Sequence, residues 1–271
     1  MPERISRRKL EELESTLSDR DKSILNLIHD YRYLTTEHIH RLCFTKSATA
    51  KAGLRAASRN LKKLKDLKLL DSLDRRVGGI FSGSASYIWR LDAAGDHLLR
   101  MMDVANRPRR KSFEPSVYFL AHTLAVSECY VRLTEICKDI KLTEAQNEPN
   151  SWRPYSSGGK MVTLKPDLFA VTLSGSYEDR WFIEIDMATE SPAKIIEKCR
   201  RYHKYYLSGL EQKQYGVFPL VVWIVPDTNR KKSLIEHIRP EFAQLPRIFI
   251  VITPDELEQL MLQGVGGDSL C

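Results

Sequence analysis

The chain has 271 residues, 42% hydrophobic and 28% charged, with a net charge of +7. That length exceeds an ordinary single domain and predicts two cores, while no segment approaches the roughly 18 consecutive apolar residues that a membrane-crossing helix needs. The opening Met1-Pro2-Glu3-Arg4 lacks the apolar core of a secretory signal, so a cytoplasmic protein without a membrane partner is expected.

The five cysteines (Cys43, Cys129, Cys137, Cys199, Cys271) are widely spaced, odd in number and without a C-x-x-C pair. This argues against a disulfide framework and a zinc knuckle and predicts reduced, mostly buried thiols. The charge is unevenly divided. Residues 1–111 carry 24 Lys and Arg against 14 Asp and Glu, a net of +10, and residues 112–271 carry 18 against 21, a net of −3. A basic half beside a slightly acidic one suggests a polyanion-binding module joined to something else.

In chain order, residues 1–17 read as a charged amphipathic arm or helix, with Leu10, Leu13 and Leu17 at helical spacing. Ser18 with Asp21 three residues on is a helix start, and the helix has Ile24, Leu25, Leu27 and Ile28 as its apolar positions. A shorter helix follows Leu34-Thr35-Thr36, and a third covers about residues 49–67. On this third helix Leu54, Ala57, Leu61 and Leu64 share one face, and Lys51, Arg55, Arg59 and Lys62 lie well around the axis from it. Extended runs at 69–74 and 86–91 flank a Gly-rich basic tip containing Arg75 and Arg76. Three helices and a two-stranded wing make a winged helix-turn-helix. The third helix is then expected in the major groove of double-stranded DNA, with Arg75 and Arg76 on the backbone.

Residues 106–115 hold two prolines and four basic residues and read as a linker, since proline excludes a continuous helix. The expected organisation is an arm at 1–17, a winged helix at 18–105, the linker at 106–115, a second domain at 116–262 and a tail at 263–271. The second domain reads as a helix over 117–138, a strand at 140–145, a polar loop through Trp152 and Gly158-Gly159, strands at 167–173 and 180–186, a helix over 192–210, an apolar run at 217–225, a helix over 231–243 and a strand at 247–252.

Within that order, Lys165-Pro166-Asp167 opens one strand and Phe182-Ile183-Glu184-Ile185-Asp186 ends the next. The pattern resembles the PD-(D/E)XK nuclease core, so the chain is expected to be α/β (α+β overall), with a winged helix ahead of a nuclease-like domain. The resemblance implies that Asp167, Glu184 and Asp186 gather on Mg2+ or Mn2+, which takes few carboxylates and several waters, with Glu128 as a further ligand. It also implies a lysine two residues beyond the second acid, where this chain has Asp186. Lys194 and Lys198, four apart on the following helix, are the candidate replacements. The alternative is a centre that has lost hydrolysis and keeps the fold for binding. Glu144, Glu148 and His122 are weaker candidates, and Tyr202, Tyr205 and Tyr206 raise the idea of a nicking tyrosine, against which a Tyr-rich helix is ordinarily core and rim.

The whole pattern, with Leu34-Thr35-Thr36-Glu37, Phe119-Leu120-Ala121-His122, the Glu184-x-Asp186-x-x-Thr189-Glu190 run and Lys198-x-x-x-Tyr202, resembles the replication-relaxation family of plasmids and mobile elements. The resemblance implies a DNA-binding protein in control of plasmid replication or transfer, with replication or transfer proteins as partners and a homodimer if its site is palindromic. The competing expectation is a non-catalytic regulator whose second domain dimerises or recruits partners.

Overall fold

The computed structural model describes residues 5–73, 87–102, 114–137, 140–244 and 246–263. It divides into two compact units, 1–131 and 132–271. The expected linker at 106–115 lies almost wholly outside the described residues, as do the wing tip with Arg75 and Arg76 and most of the tail.

The first unit begins with α1 (Arg7–Thr16), capped by Ser6 and burying Leu10 and Leu13. Then comes α2 (Asp19–Tyr31), where Ser18 and Asp21 form the reciprocal capping box that the sequence announces. Asp21 does more than cap. Fully buried, it also accepts from Asn60 Nδ2 and Lys63 Nζ, both at 2.8 Å, which fixes the start of α2 to α4 (Ala50–Asp66). Between them lies α3 (Thr36–Cys43), capped by Thr35. Strands β1 (Leu34–Thr35), β2 (Leu70–Ser72) and β3 (Ile88–Leu91) form an antiparallel sheet in the order β1-β3-β2.

One expected core position of α4 is displaced. Leu54 is 37% exposed, and the buried line is Gly53, Ala57, Leu61 and Leu64. Gly53 lets α3 come close, since a Cβ there would sit 2.5 Å from His40 Nε2. A further helix, α5 (Ala93–Met102), packs through Gly95, where a Cβ would lie 2.1 Å from the Leu69 carbonyl oxygen. Next is α6 (Val117–Ile136), through which the division between units passes. Its first turns belong to the core of the first unit: Leu120 clusters with Tyr33, Leu73 and Ile88, and Ser127 Oγ donates to the Tyr33 carbonyl at 3.1 Å.

The second unit is built on a five-stranded sheet in the order β10-β9-β8-β7-β4. Its strands are β4 (Lys141–Asn147), β7 (Leu168–Ser174), β8 (Tyr177–Ile185), β9 (Leu220–Ile224) and β10 (Phe249–Ile252). The pairs β4/β7 and β7/β8 are antiparallel, and β8/β9 and β9/β10 are parallel. The crossover from β8 to β9 runs through α7 (Pro192–Leu207) and α8 (Leu210–Tyr215). These are separate helices rather than one to residue 210, because Gly209 takes a left-handed φ of 69°. The crossover from β9 to β10 is α9 (Thr228–Glu241), and α10 (Leu257–Gln263) closes the described chain.

The expected polar loop is instead a hairpin, β5 (Arg153–Ser157) and β6 (Lys160–Leu164). Gly158 and Gly159 both have positive φ, as a two-residue turn of the mirror-image type requires. One face of the large sheet, with Phe169, Phe182, Val221 and Phe249, packs with Ile195, Cys199 and Tyr202 of α7 and Leu234 and Ile238 of α9 in a single core.

Candidate active centre and nucleic-acid face

Strand register assembles the centre. Leu168 pairs with Ile183 and Phe169 with Phe182, so one further step sets Asp167 opposite Glu184. Glu184 in turn pairs with Trp223 of β9. Alternation along the strands puts Asp167, Glu184 and Trp223 on the face that carries Phe169, Phe182 and Val221, under α7. Asp167 is held by a 2.8 Å hydrogen bond from the Ile185 backbone N–H to its Oδ2.

Glu184 has no solvent exposure. The Lys198 ammonium donates to its Oε2 and the Tyr202 hydroxyl to its Oε1, two donors one turn apart on α7. Lys198 is therefore the lysine that α7 returns to the acids, and Lys194 is exposed. Burial pushes the Glu184 carboxyl up to about 8 against the pull of Lys198, with Asp167 adding to the rise. Burial works to lower Lys198, but the charges of Glu184 and Asp167 outweigh it and hold the ammonium above its ordinary value. Lys198 draws on Glu184 only while Glu184 is charged. Of the two, the wholly buried carboxyl loses more solvation than an ammonium whose side chain is 29% exposed, so the proton in play near neutral pH belongs to Glu184.

Asp186 leaves the expected acid set. Its Oδ2 accepts from Arg230 Nε at 2.6 Å, and its Oδ1 from Arg230 Nη2 at 3.2 Å and from the Ala188 N–H at 2.9 Å. Arg230 also donates to the Glu190 carbonyl at 2.7 Å, so the pair closes the loop between β8 and α7. Ala188 sits in that loop at a left-handed φ of 55°. Arg230, at the start of α9 and 44 residues from Asp186, had no sequence signal that tied it to this position.

Glu128, the other expected ligand, is engaged inside the first unit by Arg41 at 2.7 Å and His38 at 3.3 Å. Burial works to raise its carboxyl, but the hydrogen bonds from His38 and Arg41 prevail and hold it to about 2, which accounts for its charge as a local structural one. Glu144 accepts from Gln146 at 2.5 Å and Glu148 from Trp152 at 3.4 Å. Tyr202 is buried on Glu184, and Tyr205 is buried and donates to Glu211 at 2.7 Å, so neither presents a free hydroxyl to DNA.

Among the described residues no group of three or more His, Cys, Asp or Glu is arranged to hold a metal ion. What remains is a pair of hard oxygen donors, Asp167 and Glu184. By donor chemistry alone these are the oxygen ligands that a small, largely hydrated divalent cation such as Mg2+ takes, but both oxygens of Glu184 are here engaged by Lys198 and Tyr202.

In the first unit, Lys51, Arg55, Arg59 and Lys62 are all exposed on α4 and make no ion pair among the described residues. By contrast Lys63 pairs with Asp21 and Lys65 with Asp71. The neutralised lysines are those that turn back to the fold, which leaves an uncompensated cationic row on the other side of the helix. Arg75 and Arg76, expected to extend it, lie outside the described residues.

No described helix is long and apolar enough to cross a membrane. Neither the curated proteins nor the solved structures contain a match to the chain. The sequence profile of one family, described as replication-relaxation, matches residues 25–221. That span takes in α3, α4, β7, β8 and α7, and its subject suggests a role in replication or relaxation of mobile elements. By that match over most of its length, the chain belongs to the replication-relaxation family.

Proposed function

We propose that this protein binds double-stranded DNA through α4 of the first unit and nicks or cleaves it in the cytoplasm at Asp167, Glu184 and Lys198 of the second, a PD-(D/E)XK-type centre. The observation that carries the reading is the return of Lys198 to Glu184 from the helix after β8, which restores an acid, acid and lysine set although the strand position itself holds Asp186. Asp167 and Glu184 would hold Mg2+ or Mn2+, which supplies Lewis-acid polarisation of the phosphate and a more acidic water.

The chain's own residues have definable tasks. Lys198 brings a positive charge and a hydrogen-bond donor to the point where negative charge develops on phosphate oxygens, in a site that α7 and β9 shield from solvent. Tyr202 fixes the Glu184 carboxyl in orientation through Oε1. The Asp186 and Arg230 clamp sets where α7 leaves the sheet, and so where Lys198 stands.

A second reading draws on the complete burial of Glu184 and the engagement of both its oxygens. In that reading the centre is a structural remnant, and the second unit serves dimerisation or the binding of replication or transfer proteins. Supercoiled plasmid incubated with the protein in Mg2+, Mn2+ or EDTA separates the two. Metal-dependent relaxed or linear product supports the nuclease, whereas intact plasmid with retained binding supports the regulator.

A further inference from the structure

The β5–β6 hairpin has no part in the centre just described, yet its root adjoins it. From Pro149 to Pro166 the chain carries three basic residues (Arg153, Lys160, Lys165) and no acidic one, inside a half whose net charge is −3. The root is rigid. Arg153 donates to Glu211 at 3.3 Å and to Gln146 at 3.2 Å, with its guanidinium 4.5 Å from the Phe169 ring centroid, and Tyr155 and Leu164 are buried in the sheet core.

The rest of β6 faces outward. Lys160, Met161, Val162 and Thr163 are exposed, Met161 by 72%. Lys165, two residues before Asp167, is exposed too and stands 4.2 Å from the centroid of the Trp152 ring. Neither lysine makes an ion pair among the described residues.

We propose that this hairpin is a DNA-gripping arm that enters a groove edge-on, with Lys160 and Val162 on one face of β6 and Met161 on the other, so that Lys160 and Lys165 contact backbone phosphates of the duplex while the two apolar side chains lie against opposite walls of the groove. The proposal rests on the reading that the second unit engages DNA. An acid-free cationic exterior fits a polyanion, phosphate contacts of this kind position a duplex without reading its sequence, and exposed apolar side chains beside them are what groove-inserting proteins present. Pairing with a second copy is disfavoured by the same charges, since it would bring like-charged lysines together around only two apolar side chains.

The test uses the full chain and a short duplex in EDTA, so that no cleavage enters. The Lys160→Ala/Lys165→Ala variant should bind about 3- to 10-fold more weakly, and its slope of log K against log salt should be shallower by about two. Trp152 is the only partly exposed tryptophan of the four, so DNA should also shield the wild-type protein from iodide quenching. Unchanged affinity and slope, or quenching that DNA does not alter, overturns the proposal. So does a variant that changes sedimentation but not DNA affinity, which would make the hairpin a contact between copies. Intact plasmid in Mg2+ with the arm's effect retained removes the nuclease reading alone, and metal-dependent cleavage with no effect of the lysines removes the arm alone.

Discussion

Replacing Glu184 with Gln removes a buried ionisable group with almost no change of shape. The carboxyl has no solvent exposure and is pushed up to about 8 by burial. A group whose folded value lies above its unfolded one contributes stability that is complete below the unfolded value, near 4.5, and is lost as pH rises through about 8. Each pH unit in that window removes up to about 1.4 kcal/mol, so wild type should lose up to about 2.7 kcal/mol relative to Glu184→Gln between pH 5 and pH 7. At pH 5 the protonated acid and the amide are near equivalents and the two proteins should unfold alike, while at pH 7 the variant should be the more stable. Urea unfolding in EDTA at constant ionic strength, at pH 5, 6 and 7, reads this directly. A difference that stays constant with pH would refute the reasoning. A difference that grows in favour of wild type would show that the Lys198 ion pair outweighs burial.

Other consequences follow from individual contacts. Arg230→Met leaves the buried Asp186 carboxylate without its partner and should cost about 3–5 kcal/mol in urea unfolding; a loss under about 1 kcal/mol would contradict the clamp. Asp21, drawn down to about 2 by Lys63, Asn60 and Ser18 against the effect of burial, contributes stability present above its unfolded value and lost as pH falls through about 2. Wild type should therefore exceed Asp21→Asn by about 2–3 kcal/mol at pH 7, and by roughly a third of that at pH 2.5. Arg55→Ala and Arg59→Ala should each weaken DNA binding and reduce the salt slope by about one without changing the melting temperature. Wild-type gel shifts in both variants would remove α4 from the DNA face.

Local signals in the sequence were readable because their physics is local. Ser18 is a side-chain cap as expected, the helices expected after residues 34–36 and from about 49 begin at Thr36 and Ala50, and the Pro-Asp and Glu-x-Asp strands pair in the register that sets Asp167 opposite Glu184. The period of α7 puts Lys194 and Lys198 on one face but cannot say which turn overlies Glu184. That choice depends on how the Asp186 loop delivers the helix, and Arg230 sets the loop from 44 residues away. Long-range partners hid the second role of Asp21 as well, since Lys63 is 42 residues distant. The hairpin was legible in principle: Gly158-Gly159 between short runs is a two-residue turn signal, but the polar, Pro-containing flanks masked the alternation. Leu54 was misplaced because helical spacing alone does not reveal that Gly53 is where α3 approaches α4.

The most direct measurement of the central claim is the single-turnover rate of supercoiled plasmid cleavage in Mg2+ for wild type, Lys198→Met, Lys194→Met and Asp186→Asn. A centre made of Asp167, Glu184 and Lys198 predicts a loss of about 10²- to 10⁴-fold in Lys198→Met, a wild-type rate in Lys194→Met, and activity retained in whatever fraction of Asp186→Asn stays folded. Equal rates in wild type and Lys198→Met, or no cleavage by wild type with any divalent metal, would contradict it.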